Sequence, residues 1–134
     1  MTTENIVVPL GRQSSDLKAL YHAFALAERV SARIIVLFFK KEMPGQNPAT
    51  PLEEACRQMV RGACEEGLSV SFHIVHEQFE AELLKTINIE HIDLIILSAG
   101  DTEMEATRKE LTSKACIQLI KVKEKNAINL YQRR

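Results

Sequence analysis

Long apolar runs, charge imbalance, paired cysteines and repeats are all missing from this sequence, and each absence removes a class of protein. No stretch of it approaches the ~18–20 consecutive apolar residues that cross a bilayer. The first residues, MTTENIVVPLGRQSSD, lack a basic opening followed by an apolar signal core, so no membrane insertion is expected and a cytoplasmic location is. The three cysteines, Cys56, Cys64 and Cys116, form no CxxC pair and have no accompanying histidine spacing. A disulfide framework and a zinc site are thereby excluded, and buried reduced thiols are expected. With 17 basic against 18 acidic residues, the net charge of −1 gives no footing for nucleic acid or an anionic surface. Neither an internal repeat nor a low-complexity tract is present, which removes solenoids.

What is present is an ordinary globular composition, 46% hydrophobic and 26% charged over 134 residues, enough for one core. A single domain spanning 1–134 is expected, with its core at about 5–122 and a polar tail over 123–134. Asn5-Ile6-Val7-Val8-Pro9-Leu10, ended by Gly11, reads as a central strand. Ser14 or Ser15 can cap a helix in which Leu17, Leu20, Phe24, Ala27 and Val30 recur at helical spacing through Ala32. Arg33 to Phe39 is a second buried strand. KKEMPGQNPA, Lys40 to Ala49, is a loop. Thr50-Pro51-Leu52-Glu53 then starts a helix, with Thr50 capping, Pro51 at N1 and Glu53 able to reach back to the cap. Leu52, Ala55, Met59 and Ala63 form its expected buried stripe, and Gly67 stops it.

Ser69 to His76 alternates, with Val70, Phe72 and Ile74 on one face, as a peripheral strand does. A third helix is expected over Glu80 to Glu90, with Leu83, Leu84 and Ile87 inward. Leu94 to Leu97 is a fourth strand, and Thr102-Glu103-Met104-Glu105 can cap a fourth helix running to about Ala115. Ile117 to Val122 is the fifth strand. This alternation predicts a three-layer, doubly wound α/β fold: a parallel sheet, helices on both faces and right-handed crossovers.

Ile6-Val7-Val8-Pro9-Leu10 before a serine-containing turn, ALYHAFALAERVSA, the strand Ile34 to Phe38, IDLIILSAG and KACIQLIKV follow one another in the order and spacing of a known family. From Asn5 to Val122 the chain resembles the universal stress proteins. The resemblance implies a five-stranded parallel sheet of order 3-2-1-4-5 and a homodimer joined through the fifth strands. The residues agree with the second point in part. An outer strand exposes its edge, and one presenting Ile117 and Leu119 on one face with Ile120 and Val122 on the other is apolar enough to want a partner.

The nucleotide-binding branch of that family carries glycines after strand four, where backbone amides and a helix N-terminus meet phosphates. Here Gly100 stands alone: Glu103 occupies the second glycine position, and no glycine follows from Asp101 to Arg134. Asp101, Glu103 and Glu105 would also repel a polyanion unless Mg²⁺ intervened. They read instead as cap and dipole partners of a helix. After strand one, where that branch holds an acidic residue for the base, stands Gly11-Arg12-Gln13.

Catalytic constellations are weak. His73 and His76 sit three apart in a strand and point to opposite faces, which disfavours joint metal ligation. His76 beside Glu77 reads as a solvated strand end, and His22 and His91 as helix surface. A phosphoacceptor domain of this architecture would need carboxylates after strand one, which are missing. The expectation is a non-catalytic stress-response or regulatory protein without cofactor or metal. It is expected not to bind ATP and to act through homodimerisation and protein partners. The alternative is a divergent nucleotide- or small-anion-binding switch using Gly11, Arg12, Ser14, Ser15, Ser98 and Gly100.

Overall fold

The computed structural model describes residues 4–10, 17–40, 50–76 and 78–97, together with the backbone of 98 and 118–122. The strands are β1 (Glu4–Leu10), β2 (Ala32–Phe39), β3 (Ser69–Val75), β4 (Leu94–Ser98) and β5 (Gln118–Val122). Between the first four run α1 (Lys18–Ala27), α2 (Pro51–Glu65) and α3 (Phe79–Ile89). All strand pairs are parallel and the sheet order is β3-β2-β1-β4-β5. The expected fourth helix, Thr102 to Ala115, and Cys116 lie outside the described residues.

Two apolar layers sandwich the sheet because the central strands are hydrophobic on both faces. On one face Ile6, Val8, Leu10, Ile34, Val36, Phe38, Leu94 and Ile96 pack against Ala19, Leu20 and Ala23 of α1 and Cys56 and Val60 of α2. On the other, Val7, Ile35, Leu37, Phe39, Ile95 and Leu97 pack against Phe79, Leu83 and Ile87 of α3. Phe39 and Phe79 meet edge to face with ring centroids 4.4 Å apart. Each such fully buried aliphatic side chain contributes roughly 1.5–3 kcal/mol of transfer free energy.

Three helices depart from their sequence patterns in instructive ways. α1 ends at Ala27 rather than Ala32, because the chain must reverse to enter β2: Arg29 N and Val30 N both donate to Leu26 O, and Val30 is left 42% exposed. Its N-cap is Leu17, with no side-chain cap, and the expected caps Ser14 and Ser15 lie outside the described residues. α2 starts as expected, Thr50 Oγ1 accepting from Glu53 N at 3.1 Å. Of its expected stripe Ala63 is buried and Leu52 and Met59 pack partly buried against the core, but Ala55 is exposed and the fully buried positions are Glu53, Cys56, Val60 and Ala63. α3 begins at Phe79, after Gln78 in a left-handed conformation (φ 55°), and Leu84 is only half-buried.

α2 and α3 end alike. Gly67, with φ 97°, lets Leu68 N return to Ala63 O at 3.0 Å and Gly67 N to Cys64 O at 3.0 Å, a Schellman closure. In α3 the corresponding left-handed residue is His91 (φ 55°), outside the helix rather than on it, and Ile92 N reaches Ile87 O at 3.1 Å. His91 sits in a polar cluster at the amino end of the sheet. Asn5 N donates to Asp93 Oδ2 (2.9 Å), Asp93 N to Asn5 O (2.8 Å) and Asn5 Nδ2 to His91 O (3.1 Å). Arg33 donates to Asn5 Oδ1 (3.2 Å), Glu90 Oε1 (2.8 Å) and Glu90 O (3.1 Å).

Candidate functional site

In an open α/β sheet the ligand crevice lies outside the carboxyl ends of the strands, where the winding direction changes. Here β1 pairs with β2 on one side and β4 on the other, so the change falls between β1 and β4. Ile6 is level with Leu94 and Val7 with Ile95, and continuing that register brings Leu10 level with Ser98. Leu10 is also paired with Phe38. The floor of the crevice is therefore apolar: Leu10, Phe38 and Leu97 are all buried.

Of the candidate ligand residues, the backbone of Ser98 closes β4 beside the end of β1, two residues before Gly100 in the sequence. Gly11, Arg12, Ser14, Ser15 and Gly100 lie outside the described residues, as does the Asp101 to Glu105 stretch. α1, which follows the β1 loop, differs from its neighbours in charge. Its first turn has no acidic residue and begins with Lys18, whereas α2 carries Glu53 and Glu54 there and α3 carries Glu80 and Glu82.

One charged cluster at this end of the sheet went unread in the sequence. Glu53, 2% exposed, does not return to the cap. Its Oε1 meets Lys40 Nζ at 2.9 Å and its Oε2 meets Arg57 Nη2 at 3.1 Å and Nε at 3.2 Å. Oε1 accepts no hydrogen bond of good geometry among the described residues, so the Lys40 ammonium is its compensation. Burial works to raise the Glu53 pKa, but the nearby Lys40 ammonium and the charge and hydrogen bonds of Arg57 outweigh it and hold the carboxyl below its usual range. Lys40 follows β2 directly, and its backbone N donates to Val75 O at 2.9 Å. The cluster thus ties the end of β2 to the first turn of α2. Arg57 also lies 4.8 Å from the Phe72 ring centroid, a cation–π contact. The one signal in the sequence was the spacing of Glu53 and Arg57, four apart on a helix.

The remaining reactive groups fit structural roles. Burial pushes the Cys56 thiol up to about 12, with Arg57 opposing and Glu53 adding to the effect, which removes it as a nucleophile. Cys64 is exposed, against expectation, because it lies on the side of α2 facing the free edge of β3, where its Sγ donates to Val70 O at 3.4 Å. His73 and His76 are exposed, and His73 Nε2 lies 3.2 Å from Ser71 Oγ. Among the described residues no three His, Cys, Asp or Glu side chains could hold a metal ion.

Fold and switch point lead to one comparison: the sequence matches the Universal stress protein family over residues 2–122. The chain belongs to the universal stress protein family. Solved structures of that family share its fold at low identity. A universal stress protein from Archaeoglobus fulgidus in complex with dAMP is 14% identical with a TM-score of 0.59, over 90% of this chain and 98% of that one. A family member from Burkholderia pseudomallei is 18% identical with a TM-score of 0.56, over 89% and 95%. One from Arabidopsis thaliana with AMP bound is 10% identical with a TM-score of 0.54, over 93% and 94%. No curated protein matches the chain.

Proposed function

We propose that this chain is a regulatory universal stress protein of a single domain, without catalysis of its own. On this reading it does not hold the triphosphate of ATP and acts through protein partners and a homodimer. One observation carries the proposal. After Gly100 the positions that should be glycine are not, and Asp101, Glu103 and Glu105 bring three carboxylates to the loop that would receive phosphates. The cluster chemistry agrees: Lys40, a cation at the carboxyl end of β2, is already committed to Glu53. Homodimerisation through β5, by Ile117, Leu119, Ile120 and Val122, fits its place as the outer strand beside β4. Ile117 and the side chains of β5 lie outside the described residues. Among the described residues no helix is long and apolar enough to cross a membrane.

The test is to denature freshly purified protein and chromatograph the supernatant for nucleotides, with calorimetric titration of the native protein by ATP beside it. No released nucleotide and no heat of ATP binding are expected; micromolar or tighter ATP binding overturns the proposal.

A second reading has its own support. Two of the similar structures hold dAMP or AMP, ligands without β- and γ-phosphates that need fewer backbone amides than ATP. The acid-free first turn of α1 suits one phosphate. This reading expects AMP to bind where ATP does not, and expects Arg12→Ala to abolish it. An unchanged AMP affinity in that variant removes Gly11 to Ser15 from the site.

A further inference from the structure

We draw no further inference here: the strongest candidate, the free edge of β3 beside α2, carries none, because Arg57 on that flank is paired with Glu53, the exposed Arg61 stands among the exposed Glu54 and Glu65, and nothing in the structure shows what covers the edge.

Discussion

The two ends of the sheet hold their charges in opposite ways. At the amino end Arg33 and Glu90 are 37% and 39% exposed, and Arg33 spreads its donors over Glu90 Oε1, Glu90 O and Asn5 Oδ1. The carboxyl end has Glu53 at 3% and Lys40 at 13%, with Glu53 Oε1 depending on one ammonium. Coulomb attraction at similar distance therefore acts in water-screened surroundings at one end and dry ones at the other. The amino end is redundant and solvated, a tie between strand starts and the end of α3. The carboxyl end buries its carboxylate, which Lys40 and Arg57 neutralise together.

Glu53→Gln is the change that should separate the two ends most sharply. It removes the buried carboxylate that Lys40 and Arg57 share, and loss of one member of such a buried ionic group costs roughly 3 kcal/mol. The urea midpoint should fall with an unchanged denaturant slope. A Lys40→Met, Glu53→Leu double variant should recover most of the loss, since no buried charge is left unmatched and Arg57, 44% exposed, is left to water. A midpoint shift as small as that of an exposed pair would erase the distinction between the ends.

Acid titration tests the same pair by linkage. The folded-state pKa of Glu53 lies below its ordinary value of 4.5, so its contribution is present above pH 4.5 and is lost as pH falls through the lower folded value. His22, half-buried on α1, is depressed by burial from 6.5. The unfolded chain therefore takes up that proton first, and stability contributed by neutral His22 is lost as pH falls below 6.5. Stability measured against pH should decline in two stages, and Glu53→Gln should remove the lower stage while leaving the upper. Persistence of the lower stage in that variant would assign it to other carboxylates.

At the amino end, Glu90→Gln should cost no more than about 1 kcal/mol, because both partners are more than a third exposed and Arg33 keeps its bonds to Asn5 Oδ1 and Glu90 O. Added salt should shrink the difference between Glu90→Gln and the parent further. A loss equal to that of Glu53→Gln would mean that exposure is a poor guide here.

The same contrast governs what could be read from the sequence. Ile6-Val7-Val8, Ile34 to Phe38 and Leu94 to Leu97 declare buried strands by continuous apolarity, and all are buried. The α2 stripe misled because Leu52/Ala55/Met59 and Glu53/Cys56/Val60 are equally helical in spacing. A carboxylate argues against burying the second set until Lys40, from another element, neutralises it. Nothing local announces that partner, and a capping box explains Glu53 just as well. Val30 misled for a related reason: periodicity continues past the point where the chain must turn. Of the candidate ligand residues only Ser98 falls among the described ones, so the crevice is located by strand order rather than by its side chains.

The smallest expected effect sharpens the comparison where α2 and α3 close. Both helices return the second residue beyond the cap to a carbonyl one turn back, α2 through Gly67 at φ 97° and α3 through His91 at φ 55°. A left-handed conformation costs an L-residue about 1–2 kcal/mol and glycine almost nothing. Gly67→Ala should therefore destabilise by about 1 kcal/mol through the backbone alone, since its new Cβ would meet nothing within 4 Å. His91→Gly should stabilise, by about 0.5 kcal/mol once the greater freedom of glycine in the unfolded chain is subtracted. The amino-end network uses the His91 carbonyl, which glycine retains, and the imidazole itself is exposed. Thermal melts of the two variants should move in opposite directions. A lower Tm for His91→Gly would mean that the imidazole itself supports the cluster around Asn5, Arg33 and Asp93, and that the amino end is less redundant than its hydrogen bonds indicate.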